Sequence, residues 1–172
     1  DSWVRKNSKN NFDFDGILAA KGIRNDIIFE QAQELFSNRI DQKTLSFDVN
    51  DFDVSFARGL SLEDGAATLT DFTASIIGTT LSSQLSNVSD KPWKVLVCGG
   101  GRKNNFLIEK IKKNIFKNII IQPIDNYEID GDFIESQAFA YLAIRSNLKL
   151  PITFPETTGC KQPLTGGEII RY

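Results

Sequence analysis

The chain has 172 residues, 41% of them hydrophobic and 24% charged, and its net charge is −2. These values are ordinary for a globular protein, and the length suits one domain. The lack of a long basic run argues against nucleic-acid binding by phosphate neutralisation, and no segment reaches the ~20 apolar residues of a membrane span. We therefore expect a single cytoplasmic domain over residues 1–172, without a nucleic-acid or membrane partner.

Several residue types are absent or rare. The chain has no histidine and no methionine, and it begins at Asp1. The absence of imidazole excludes Ser-His-Asp and Cys-His catalysis. Cys98 and Cys160 lack the spacing of metal ligands, and we expect Cys98 to be a small buried residue on a strand. Since a translation product starts with Met, we expect a processed, truncated or partial chain.

The first part of the chain, up to about Gly59, has the least regular pattern. It predicts short helices or an irregular cover, with helical spacing from Ile23 to Phe36, a loop over 43–52 and a short helix near 52–57.

The strongest helix prediction follows Ser61. Ser61 and Asp64 resemble a capping box, and an apolar face continues for about six turns. The residues of this face are Leu62, Ala66, Leu69, Phe72, Ile76, Leu81 and Leu85.

The next segment reads as strand, helix and strand. A strand over 93–98 leads through Gly99, Gly100 and Gly101 into a helix from about Asn104 to Lys113, whose lysines are expected on a solvated face. The apolar run that follows predicts a parallel strand over 119–123, buried on both faces. This order is typical of a right-handed βαβ unit.

A last helix is predicted after the turn at Asp130–Asp132. Asp132 as N-cap with Glu135 again resembles a capping box, and the apolar spacing predicts a buried helix to about Asn147. The tail from 150 to 167 reads as extended loop, and 169–170 as an edge strand.

The three-glycine turn is the first candidate site. Glycines allow close approach to backbone amides, and the helix after the turn would present free N–H groups and a positive dipole end to a phosphate or ribose. Close packing is the alternative reason for such glycines. No Gly-Lys-Ser or Gly-Lys-Thr follows, and the spacing is not that of a dinucleotide fingerprint, so Walker and Rossmann sites are not indicated.

Glu135 is the second candidate. A carboxylate in the first turn of a helix is favoured by the helix dipole alone. The functional alternative is that Glu135 faces a cleft beside the glycine turn and accepts a hydrogen bond from a substrate hydroxyl.

Several stretches together resemble one family, the anhydro-N-acetylmuramic acid kinases. The segment 61–74 is similar to their central helix, Cys98–Gly101 with Asn104 to their C-G-G-G-x-x-N motif, and Glu135 with 138–140 to their E-x-x-A-F-A stretch. Thr158-Gly159 resembles their closing T-G segment, and residues 1–3 the D-x-W that follows their D-x-G-P-G-N segment.

The resemblance implies an α/β fold, the C-terminal lobe of an actin-like ATPase and sugar-kinase fold, with a small mixed sheet flanked by helices. It implies phosphorylation of the 6-hydroxyl of 1,6-anhydro-N-acetylmuramic acid with opening of the anhydro ring by water, in cell-wall recycling. ATP and Mg²⁺ would be required. Gly99, Gly100, Gly101 and Asn104 would line the nucleotide side of the cleft, and Glu135 would lie near the sugar.

The resemblance also implies what lies elsewhere. The catalytic aspartate and the phosphate-binding loop belong to motifs that this sequence does not contain, so the N-terminal lobe of the enzyme is an expected partner, a homodimer is a further assembly to test, and the chain alone is expected to be inactive. No metal ligand is assigned to this chain. The alternatives are a non-catalytic nucleotide-binding or scaffolding fragment, and a kinase of the same superfamily with another sugar.

Overall fold

The computed structural model describes residues 1–40, 52–85, 92–115, 118–168 and 170, with the backbone alone for 38–40. These residues divide into two compact units. The first unit comprises Asp1–Leu96 and Gly100–Gln122, and the second comprises Val97–Gly99 and Pro123–Tyr172. The expectation of a single domain stays a prediction.

The first unit is mostly helical, with short 3₁₀ turns at Phe14–Gly16, Val54–Ala57 and Gly100–Lys103. The irregular cover expected at the start of the chain is confirmed, whereas the loop expected over 43–52 lies almost entirely outside the described residues. The helices and strands are α1 (Ser2–Asn7), α2 (Ile17–Lys21), α3 (Asp26–Ile40), α4 (Leu62–Leu85), β1 (Trp93–Val97), α5 (Asn105–Lys113) and β2 (Ile119–Pro123).

Helix α4 is the centre of the first unit, and it begins where the sequence predicts. The Ser61 hydroxyl oxygen accepts a hydrogen bond from the Asp64 N–H at 3.0 Å, which satisfies one of the free donors at the start of a helix. Most residues that α4 buries are small, among them Gly65, Ala66, Ala67 and Ala74. Small side chains allow neighbouring elements to approach the helix closely, so packing compensates for its modest intrinsic propensity.

Two apolar clusters pack on α4. One is formed by Trp3, Ala19, Ala57 and Ala66, and the other by Ala32, Phe36 and Phe72. In the second cluster the rings of Phe36 and Phe72 meet edge to face, with 5.9 Å between centroids, a favourable aromatic geometry. These contacts fix α2, α3 and the Val54–Ala57 turn around the central helix.

In the part of the chain that the structure describes, the sheet consists of β1 and β2, which are parallel. Ile119 and Ile121 are buried, but Ile120 is 41% exposed. The prediction of a strand buried on both faces is therefore wrong, because one face of this two-stranded sheet is open in the described residues. The α/β class is confirmed, with parallel pairing where a mixed sheet was expected.

The second unit carries α6 (Ile134–Asn147) and α7 (Pro155–Thr158). Phe133, not Asp132, is the N-cap of α6, and no side chain caps it. None of the described residues of α6 is buried, and Phe139 is 65% exposed. The prediction of a buried helix is wrong, because apolar spacing shows which face can be covered but not whether a neighbouring element covers it.

The tail is more structured than expected. It contains α7 and an antiparallel bridge between Thr153 and Leu164, where the sequence predicted extended loop. Ile169 lies outside the described residues, and Ile170 is not in a strand. Within the described ranges, no helix has both the length and the apolar character needed to cross a membrane.

Candidate ligand site in the first unit

A cavity of about 300 Å³ opens in the first unit. Its wall combines the start of the chain, one face of α4 and the glycine turn, which are far apart in sequence. The polar residues and glycines of the wall are Asp1, Ser2, Asp13, Asp53, Thr70, Thr73, Gly100, Gly101 and Asn104. Three of the five predicted site residues therefore share one cavity, and residues 1–3, singled out as a motif, line the same cavity.

Gly100 and Gly101 face open space. A Cβ placed on either residue would meet no described atom within 4 Å, and neither has a positive φ. Close packing and backbone conformation therefore do not require glycine at these two positions. Gly99 differs, since its φ is +73° and its N–H donates to the Gly131 carbonyl at 2.9 Å. Gly99 belongs to the second unit and is explained by its conformation.

The amino-terminal end of α5 is already occupied by side chains. The Asn104 Oδ1 accepts the Leu107 N–H at 2.9 Å, and the Asp15 Oδ1 accepts the Asn105 N–H at 2.9 Å. The sequence predicted free N–H groups here for a phosphate, and that prediction is wrong for these two groups. Asn104 lines the cavity and at the same time acts as the helix cap.

The Phe14–Gly16 turn brings Asp15 to α5. Asp15 and Gly16 both have left-handed backbone, with φ of +53° and +72°. A Cβ on Gly16 would lie 2.4 Å from Asn104 Oδ1, so only glycine fits between the turn and the helix. Asp13, just before the turn, accepts the N–H groups of Leu18 and Ala19 at 2.8 and 2.9 Å. Sequence reasoning missed this segment, although Asp-Phe-Asp-Gly is a turn signal.

The cavity wall is rich in hydrogen-bond acceptors. Hydrogen bonds from the hydroxyl and the backbone N–H of Ser55 lower the pKa of Asp53 below its ordinary value of 3.8, so this side chain is a carboxylate at neutral pH. Ionised carboxylates only accept hydrogen bonds. With Asp13 and Asp53 in the wall, the cavity suits the hydroxyl and amide groups of a ligand better than a bare phosphate.

An ion pair joins the two helices of the wall. Lys110 Nζ of α5 lies 2.9 Å from Asp71 Oδ2 of α4, and the side chain of Asp71 is 8% exposed. Lys110 also lies over the Phe106 ring, 5.0 Å from its centroid, a cation–π distance. Lys110 was expected on a solvated face, and that expectation is wrong because the buried carboxylate attracts it. The pair links α4 to α5.

The remaining candidates lie outside this cavity. Glu135 is exposed on the first turn of α6 in the second unit, and its role near a sugar stays a prediction. Cys98 is exposed and follows the end of β1, so the expectation of a buried strand residue is wrong. Among the residues that the structure describes, no group of three or more Cys, Asp or Glu side chains is placed to hold a metal ion.

The chain is similar to proteins of known family. The family model described as anhydro-N-acetylmuramic acid kinase matches residues 1–171. An anhydro-N-acetylmuramic acid kinase of Pelagibacter ubique (strain HTCC1062) is 48% identical over 171 residues, which are 99% of this chain and 46% of the relative. One from Zymomonas mobilis is 36% identical over 98% of this chain and 44% of the relative. An anhydro-N-acetylmuramic acid kinase 2 of Jannaschia sp. is 39% identical over 91% and 40%, respectively.

The chain therefore belongs to the anhydro-N-acetylmuramic acid kinase family. It spans less than half the length of these curated relatives. The family is one of kinases, and the resemblance found in the sequence motifs is confirmed.

Proposed function

We propose that this chain is the C-terminal part of an ATP-dependent kinase that phosphorylates 1,6-anhydro-N-acetylmuramic acid at its 6-hydroxyl, with hydrolytic opening of the anhydro ring. Membership of the family supports the substrate class. The reaction would serve peptidoglycan recycling in the cytoplasm. The remaining lobe of the enzyme would be the partner of this chain.

One observation carries the proposal from family to site. Gly100 and Gly101 line a cavity of about 300 Å³. No described atom lies within 4 Å of the place that a Cβ would take on either residue, so steric crowding does not explain why both are glycine. Two adjacent glycines leave the backbone open to close approach by a ligand, which supports a binding role for this part of the wall. Asp1–Trp3 line the same cavity. This supports a site built from two stretches that resemble family motifs, residues 1–3 and the glycine turn with Asn104.

The residues of the cavity would bind and orient. The backbone of Gly100 and Gly101 would contact the nucleotide, and the carboxylates of the wall would accept hydrogen bonds from ligand hydroxyls. Phosphoryl transfer depends mainly on positioning and electrostatic stabilisation. The described residues provide no cluster for Mg²⁺, so we assign no Mg²⁺ ligand to them, and we place the acid–base residue in the partner lobe.

The proposal is tested by ATP binding and turnover with the purified chain. We expect ATP to bind and to shift the amide NMR signals of Gly100 and Gly101, without phosphorylation of the anhydro-sugar. Phosphorylation by the chain alone would contradict the assignment of the acid–base residue to another lobe. No ATP-dependent shift at either glycine would contradict the nucleotide site and favour a scaffolding fragment.

A further inference from the structure

Helix α6 has the composition of a buried helix, although it is exposed in this structure. Residues 138–144 are all apolar, and Glu135 and Arg145 are the only charged residues of the helix. Phe139 is 65% exposed and Ile144 is 60% exposed, and their positions in the sequence place them about 140° apart around the helix axis. A helix with large apolar side chains on widely separated sides is normally enclosed by other elements of a folded protein.

One side of α6 forms an apolar seam that runs from the N-cap to the C-cap. Phe133, Gln137, Tyr141, Ile144 and Leu148 follow one another at spacings of three or four residues, which place side chains on one face of a helix. We call these residues the α6 seam. Its large apolar side chains are between 57% and 60% exposed. No described residue of α6 is buried, so α7 and the tail of the second unit leave the seam open.

The cation of α6 is engaged within the second unit. The Arg145 Nε donates to the Pro151 carbonyl at 2.6 Å, and its Nη1 donates to the Tyr141 hydroxyl at 3.1 Å. The guanidinium also lies 5.6 Å from the centroid of the Tyr141 ring, a cation–π distance. The α6 seam itself contains no charged residue, so it suits the apolar surface of a protein better than a polar or charged ligand.

The position of Phe139 separates two possible occupants. If a second copy of this chain packed its own α6 on the seam, Phe139 would stay in water on another side of the helix. An occupant that covers both sides has to be larger than one helix. The relatives contain enough chain for such an occupant, because this chain spans 46% of the Pelagibacter ubique kinase and 44% of the Zymomonas mobilis kinase. More than half of each relative therefore lies outside the match.

We propose that α6 is the docking helix of this chain and that its occupant is the remaining lobe of the kinase, which covers both the α6 seam and Phe139. The proposal rests on the proposed function, since that function supplies the lobe. Burial of apolar surface drives the association, and large exposed apolar patches mark such interfaces. The chain alone therefore exposes a helix that belongs to the core of the complete enzyme.

The test co-expresses this chain with the part of the Pelagibacter ubique kinase that lies outside the match, and measures the complex by sedimentation. We expect a one-to-one complex in which hydrogen exchange of α6 is at least about tenfold slower than in the chain alone, because covered elements open less often. A partner that stays unbound or insoluble beside the unmodified chain would overturn the proposal. Unchanged exchange of α6 in the complex would overturn it as well.

Variants on the two sides of α6 test the extent of the interface. Phe139→Glu and Ile144→Glu should each weaken the complex by at least about tenfold, because each buries a charge without a partner. Both positions are exposed in the chain alone, so its circular dichroism should not change. Ile144→Leu keeps the seam apolar and should bind normally. Ile27→Glu is the matched control, because Ile27 is a 70% exposed isoleucine of α3, and equal weakening by this variant would overturn the assignment to α6.

The other outcomes separate the occupants and the two proposals. A dimer of the chain alone that Ile144→Glu dissociates would identify a second copy as the occupant and overturn the proposal. If the complex forms through α6 but does not phosphorylate the anhydro-sugar with ATP, the docking helix stands and the proposed function fails. If ATP shifts the amide signals of Gly100 and Gly101 but no complex forms, the nucleotide site stands and the docking helix fails.

Discussion

The indole ring of Trp3 lies against the backbone of Gly65, so closely that a Cβ on Gly65 would be 2.3 Å from the ring. The indole N–H donates to the Leu62 carbonyl at 3.0 Å, and Trp3 is only 7% exposed. Trp3 therefore packs α1 against the first turns of α4. Because α1 and α4 both line the cavity, this contact shapes its wall.

The contrast between Gly65 and Gly100 gives the first prediction. Gly65→Ala should destabilise the chain by about 2–3 kcal/mol, because overpacking displaces a buried ring. Gly100→Ala should change stability by less than about 0.5 kcal/mol, because its Cβ enters open space. Urea denaturation followed by circular dichroism measures both. Equal destabilisation by the two variants would contradict the open glycine turn.

The buried ion pair gives a second prediction. Asp71→Ala or Lys110→Met alone should each cost about 3 kcal/mol of unfolding free energy, because each leaves a charge without its partner. Asp71→Ala combined with Lys110→Met should cost less than the sum of the two single variants, with a coupling of about 2 kcal/mol. A double-mutant cycle in urea measures this value. Strict additivity would show that the pair does not join α4 and α5.

Asp64 gives a prediction about acid stability. The Ile23 N–H, at 2.8 Å, and the Ser61 hydroxyl lower the pKa of Asp64 below its ordinary value of 3.8. The ionised form is therefore favoured in the folded state. Its contribution is complete well above the unfolded pKa and is lost as the pH falls through the lower folded pKa.

Unfolding midpoints at pH 7 and pH 3 measure that contribution. Asp64→Asn should lower the midpoint at pH 7 and reduce the loss of stability between the two pH values. Asp53→Asn should remove a separate part of the pH dependence of stability. The pKa of Asp53 is also lowered, and its hydrogen-bond partner is Ser55, which Asp64 does not share. An unchanged pH dependence in both variants would contradict this account.

Thr68 gives a prediction about buried hydrogen bonds. It is fully buried, its Oγ1 accepts the Asn25 N–H at 3.0 Å, and its hydroxyl donates to the Asp64 carbonyl at 2.7 Å. Thr68→Val keeps the shape but removes the acceptor, at a cost of about 1–3 kcal/mol. Thr73→Val is the matched control on the exposed side of α4 and should cost less than about 0.5 kcal/mol. Thermal melts compare the two, and equal losses would refute the role of Thr68.

Local patterns were sufficient to predict the βαβ segment and α4. Ser61 caps α4, Asn104 caps α5, and β2 occupies the five residues that the apolar run indicates. Each of these elements depends on neighbours in sequence: an apolar period, a cap and a turn. They could therefore be read without knowledge of the packing.

The contacts that define the site could not be predicted in that way. Asp15 and Asn105 are 90 positions apart in the sequence, and Lys110 and its partner Asp71 are 39 positions apart. The lysine spacing on α5 is typical of an exposed helix face and therefore predicted a solvated Lys110. The buried carboxylate that pairs with Lys110 lies on another helix and could not be inferred from that spacing. The exposed face of α6 is the opposite case, since its apolar residues predicted burial.

The central claim is that the glycine turn forms a nucleotide-binding wall, and ATP titration of the Gly100→Ala, Gly101→Ala double variant tests it most directly. The variant should fold with unchanged stability, because both Cβ atoms enter open space, and should bind ATP at least about tenfold more weakly, because they occupy the position of the ligand. Unchanged ATP affinity in a folded double variant would contradict the claim.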